Sequence, residues 1–214
     1  MEKKKNDFIA QGSILAIASI LVRVMGMIYR IPMTAIIGDK GNGFYSYAYS
    51  VYTILLLLSS YSLPLAVSKM VSAKAQLGQW RNVKRVFICA IAFAIGIGTT
   101  FGLIVLIGAQ FFTRVFFHSE LAAIALRFMA PTILIMALLG VFRGFFQGLQ
   151  NTLPTAVSQI VEGLINAIMS VVFAYFLFDF GHGMDVAGGT TDLGYAWGAA
   201  GGAIGTGAGA LAGL

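Results

Sequence analysis

Apolar residues fall along this chain in six long blocks, roughly 8–37, 44–71, 83–112, 121–146, 155–180 and 195–214, separated by short polar breaks. A bilayer core of about 30 Å takes about 20 helical residues, and a helix satisfies its own backbone polar groups where no water can. The pattern predicts an all-α integral membrane protein, a six-transmembrane-helix bundle forming one domain over residues 1–214. Glycines mark several breaks, as in GDKGNG from Gly38 and LGQW from Leu77.

Composition agrees. The 214 residues are 58% hydrophobic and 10% charged, against about 25% charged in a soluble domain. One cysteine, Cys89, excludes an internal disulfide or a cysteine-based metal site, and its apolar surroundings suggest a packing residue. Lys3, Lys4 and Lys5 before an apolar run resemble a signal peptide. The run is too long and too interrupted by arginine for that, so it reads as a retained first helix.

Charge placement sets an orientation. The connecting segments on the N-terminal side carry nine Lys and Arg (Lys3, Lys4, Lys5, Lys69, Lys74, Arg81, Lys84, Arg85 and Arg143), and the opposite segments carry Lys40 and Arg114. The positive-inside rule then puts the N-terminus in the cytoplasm. The net charge of +6 is thereby explained by topology, without nucleic acid. Lys69 to Arg85 forms a basic connection with Trp80 as an interface anchor, placed to meet membrane lipids. Tyr45, Tyr47, Tyr49 and Tyr52 crowd the other interface and read as an aromatic belt.

Charges inside the apolar blocks are the informative residues. Arg23 and Arg30, seven apart, leave the same helix face about 10 Å from each other. Arginine cannot shed its charge and is costly at bilayer depth, so this face must look onto protein or water. Gly26 between them permits close approach of a neighbour, and kinks are expected at Gly26, Pro32, Pro64 and Pro131. Ser59, Ser60 and Ser62 stand beside Pro64, ready to satisfy the backbone groups it frees.

Counting residues places Arg30 and Arg127 about 9 Å deep on the outer side, with Arg23 near mid-bilayer. Gln159, Glu162 and Asn166, spaced three and four, share one face of the fifth helix as a charge-partner or coupling face. Glu162 reaches the depth of Arg23, and an Arg23–Glu162 pair is expected. Two accounts of Arg30 and Arg127 stand side by side: they snorkel outward, or they grip an anion in an outer-half cavity.

No nucleophile elbow, P-loop, paired catalytic carboxylates or Cys/His cluster occurs, so the chain reads as a non-enzyme without cofactor or metal. Without an ATP motor, transport would draw on the membrane potential or on an Na+ or H+ gradient. The final block carries Gly201, Gly205, Gly209 and Gly213, a small-residue face for close helix packing. The chain stops inside this block with no flanking charge and is expected to be truncated.

Two stretches resemble a known family. RVMGMIYRIPMTAIIGDKGNGFYSYAYSVYTILLLLSSYSLPLAVSKMVSA is similar to the first two helices of stage V sporulation protein B-like polysaccharide transporters. FRGFFQGLQNTLPTAVSQIVEGLIN is similar to their junction between helices four and five. These belong with the lipid II flippases to the multidrug, oligosaccharidyl-lipid and polysaccharide flippase superfamily. The resemblance implies two six-helix lobes around a central cavity, this chain being the N-terminal lobe with a C-terminal lobe missing, in the bacterial cytoplasmic membrane. The implied cargo is an undecaprenyl-pyrophosphate-linked oligosaccharide moved to the outer leaflet, with cell-wall synthesis enzymes as further partners. Arg23 and Arg30 stand where lipid II-type relatives carry first-helix arginines, allowing a one-residue slip. Where some of those relatives have an acid, this chain has Asn42, Gly43 and Phe44.

The leading expectation is a flippase whose Arg23, Arg30 and Arg127 bind the pyrophosphate. A multidrug or cation antiporter of the same superfamily is the alternative, disfavoured by the positive intramembrane charge. A non-transporting scaffold for cell-wall or spore-coat enzymes is the third, and it gives the buried arginines no role.

Overall fold

The computed structural model describes residues 2–60, 62–188 and 192–214, with side chains from Gly12 onward except that of Ala187. Lys3, Lys4 and Lys5 of the basic count therefore lie outside the described side chains, as does part of the polar stretch before residue 192. The chain is all helical: α1 (Glu2–Ser60), α2 (Leu63–Gln76), α3 (Trp80–Phe117), α4 (Ala122–Gly148), α5 (Leu153–Gly188) and α6 (Leu193–Gly213).

Among the described residues, four segments are long and apolar enough to cross a membrane: 12–76, 80–117, 122–148 and 153–186. α6 is not among them; its 21 residues suffice in length, but eight glycines dilute its hydropathy. The first two expected blocks lie in the segment 12–76. Their division falls at Gly38, whose φ of 62° and ψ of −176° break the helical run. On the way in, Met33 and Ile37 pack on Gly202 and Gly198 of α6; on the way out, Tyr45 packs on Gly202 again, so the chain reverses across Gly38. Only glycine tolerates that backbone without strain.

Pro32 and Pro131 lie inside α1 and α4, and in α1 the non-helical residue is Gly38, not Gly26 or Pro32. α1 is described to Ser60 and α2 from Leu63, with Pro64 in the first turn of α2. There its missing N–H costs nothing, since the first-turn donors have no intrahelical partner. Several helices outrun their apolar blocks: α3 starts at Trp80, and α5 continues to Gly188 through residues expected to form a loop.

Small residues set the packing. Gly201 and Gly205 press on the α5 backbone at Phe173, Ala174 and Ser170, and a Cβ at Gly209 would stand 2.6 Å from the Glu162 carbonyl. Gly140, Gly144 and Gly148 on α4 receive α2 in the same way at Pro64, Ser68 and Val71. With no hydrophobic drive between helices in lipid, such close contact is what van der Waals attraction and interhelical hydrogen bonds need.

From α2 onward the elements alternate in direction. Lys40 meets Asp192 at 2.8 Å, Tyr47 stacks on Phe117, and Asp185 accepts hydrogen bonds from Leu193 N–H (3.0 Å) and Gly194 N–H (2.8 Å) at the start of α6, all at one end. The α2–α3 and α4–α5 connections and the end of α6 gather at the other.

Candidate functional site

The arginine face of α1 opens onto a cleft of about 490 Å³ lined by Arg23, Gly26, Tyr29 and Arg30 of α1, Tyr49 of the returning arm, and Gly163 and Asn166 of α5. A smaller cleft of about 150 Å³ adjoins it, sharing Tyr29, Arg30, Tyr49 and Asn166 and adding Tyr45, Tyr52, Glu162, Met136 and Thr206. α5 reaches α1 here because Gly163 has no side chain; a Cβ there would lie 3.2 Å from Val22 and 3.3 Å from Met25. The helical spacing that puts Arg23, Gly26 and Arg30 on one face thus puts both arginines on the wall of one cleft.

Glu162 is paired with Arg143, not with Arg23. Arg143 Nη2 lies 2.6 Å from Glu162 Oε2, and the two side chains retain only 14% and 23% of their exposure. Arg143 also donates to Ser158 Oγ from Nε (3.1 Å) and Nη2 (2.9 Å), and Ser158 donates onward to the Gly213 carbonyl of α6. The charge tally counted Arg143 with the connecting segments. It instead lies within α4, five residues from the helix end at Gly148, and its side chain crosses to α5.

The carboxylate is therefore neutralised by a third arginine, and among the described residues neither Arg23 nor Arg30 forms an ion pair. The cleft keeps two positive charges. Arg127 is exposed on α4 and lines neither cleft. It stands about 13 Å along the helix from Met136, the α4 residue that does line the second cleft.

Asn166 accepts from Ser170 Oγ at 2.8 Å, and Ser170 and Thr206 share the Gly202 carbonyl as acceptor at 3.3 and 3.2 Å. Tyr45 Oη approaches Thr206 Oγ1 at 3.5 Å. Gln159 lies on α5 with its Oε1 buried and unpartnered, and it lines neither cleft. Among the described residues no three of His, Cys, Asp and Glu gather to hold a metal.

A family model described as polysaccharide biosynthesis protein matches residues 8–212. The chain belongs to that family. It is a family of membrane flippases, not of enzymes. Among curated proteins the chain is 26% identical over 200 residues to the lipid II flippase MurJ of Bacillus subtilis (strain 168), covering 89% of this chain and 37% of that protein. It is 26% identical over 174 residues to stage V sporulation protein B of the same organism, covering 81% of this chain and 34% of that one. The chain thus spans about a third of the length of the curated relatives it matches. No solved structure matches it.

Within this polysaccharide biosynthesis family member, two groups of residues were missed by counting charges. Tyr45, Tyr49 and Tyr52 are not simply an interface belt: Tyr45 and Tyr52 are buried, and all three line the second cleft beside Arg30. Their spacing of four and three, one helix face, is the signal that could have revealed this. Arg143 is the other, and the Arg143 to Glu162 reach across the short α4–α5 connection was available from the sequence.

Proposed function

We propose that the chain forms one lobe of a flippase that carries a lipid-linked oligosaccharide by its diphosphate from the cytoplasmic to the outer leaflet, with Arg23 and Arg30 as the diphosphate contacts. The observation that carries this reading is their shared cleft, which both arginines line while neither forms an ion pair among the described residues. A multiply charged anion is the favourable occupant of such a site, and a diphosphate offers each guanidinium fork a pair of oxygens. A cationic drug would be repelled by the same residues.

With α6 counted as a span beside the two arms of α1, α3, α4 and α5, the chain is a six-helix lobe in this reading, and the distribution of Lys and Arg favours a cytoplasmic N-terminus. The family match and the likeness to a lipid II flippase support a polyprenyl-diphosphate cargo, of which undecaprenyl-linked cell-wall precursors are the bacterial form. An inside-negative potential would assist export of a bound anion by about 2.3 kcal/mol per charge per 100 mV. Arg127, outside both clefts, has no part in this binding step.

Binding tests this reading. Purified protein should bind a polyprenyl-diphosphate-linked sugar well above the uncharged polyprenol, and Arg23→Ala or Arg30→Ala should each lose about tenfold or more, the worth of one charge-assisted contact. Equal affinity of the wild type for the diphosphate and the polyprenol would overturn it.

A further inference from the structure

A separate groove of about 490 Å³ runs between α2 and α3, sharing no residue with the arginine site. Leu63, Val67 and Met70 line it from α2, and Val86, Ala90 and Phe93 from α3. Arg85 is the one charged residue on its wall. Cys89 also lines it and is exposed, so it is not the packing residue that its apolar surroundings suggest.

The groove has a polar and an apolar end. Arg85 and Met70 lie about 8–9 Å from the joined ends of the two helices at Trp80 and Gln76, and Leu63 and Phe93 lie about 20 Å from them. Around the near end stand Lys69, Arg81 and Lys84, all exposed, and Trp80, 63% exposed, the residues of a membrane–water interface. The lining residues span about 11 Å along the helices, so the volume gives a cross-section of about 45 Å², enough for an acyl chain and too narrow for a helix about 10 Å across.

We propose that this groove is a binding site for a membrane phospholipid with an anionic headgroup, its phosphate on Arg85 and one acyl chain laid between α2 and α3. Arg85, the charge on the wall, favours a net negative lipid over a zwitterionic one, whose own cation offsets its phosphate, and the wall beyond Arg85 offers the chain only apolar contacts and the Cys89 thiol. The site would pin the α2–α3 pair at the basic face of the membrane. It does not depend on what the arginine cleft carries.

The test is native mass spectrometry of the full chain released from neutral-detergent micelles containing equal phosphatidylglycerol and phosphatidylcholine with identical chains. The wild type should retain phosphatidylglycerol about fivefold over phosphatidylcholine, the ratio that one basic side chain is worth against an anionic lipid. Arg85→Gln, a change at an exposed position, should bring the ratio near one, and Arg81→Gln should leave it. Ala66→Trp, at an exposed groove position, should lower retention of both lipids. Equal retention by the wild type overturns the proposal, as does an equal loss from Arg81→Gln, which would mean diffuse surface attraction. Displacement of phosphatidylglycerol by an equimolar polyprenyl phosphate also overturns it, by making the groove a prenyl-tail site.

Discussion

Glu162 of α5 accepts a charge-assisted hydrogen bond from Arg143 of α4 at 2.6 Å, and that contact decides the charge of the neighbouring cleft. A carboxylate free in the cleft would cancel one of the two α1 arginines. Held by Arg143, which is itself fixed by Ser158 and through it by the end of α6, the carboxylate leaves Arg23 and Arg30 without an ion-pair partner among the described residues.

The pair should show in a double-mutant cycle. Arg143→Ala and Glu162→Ala should each lower thermal stability in detergent, and the double variant should lose less than the sum, with a coupling of about 1–3 kcal/mol. Arg23→Ala combined with Glu162→Ala should be additive. Coupling between Arg23 and Glu162 instead of Arg143 and Glu162 would contradict the geometry.

The glycine face of α6 makes a second expectation. Gly205→Leu forces a side chain into the α5 backbone at Ser170 and should abolish the folded peak in size-exclusion chromatography. Gly96→Ala on α3, where nothing lies within 4 Å of an added Cβ, should shift the melting temperature little or upward.

Much of this was legible in the sequence. The apolar blocks locate the helices, and simple helical spacing puts Arg23 and Arg30 on one face and aligns the α6 glycines. Hydropathy is less informative about where helices stop: it reports where apolar residues end, and α5 runs on to Gly188 because helix does not require lipid. The Arg143–Glu162 pair was hidden by the same rule. Arg143, near the end of its apolar block, was counted with the connecting segments, whereas α4 carries it in its last turns and a long side chain reaches Glu162 on α5. The tyrosines were hidden by composition, since four in a row of eight residues look like an interface whichever face they share.

Orientation can be read by cysteine accessibility in a Cys89→Ala background. Leu77, 67% exposed, and Gly183, with open space around it, are suited to replacement, whereas Gly78 at φ 69° is not. Leu77→Cys should react only from the cytoplasmic side and Gly183→Cys only from outside. The reverse labelling would invert the proposed direction of transport.

The most direct measurement is translocation of a fluorescent polyprenyl-diphosphate-linked sugar in proteoliposomes. Arg23→Ala and Arg30→Ala should each cut the initial rate at least tenfold, with lysine at either position restoring only part of it, because lysine keeps the charge and loses the fork. Arg127→Ala should stay within about twofold of wild type, since its side chain lines neither cleft. Wild-type rates for both Arg23→Ala and Arg30→Ala, in protein that inserts and melts normally, would show that the cleft does not hold the anion and would contradict the account.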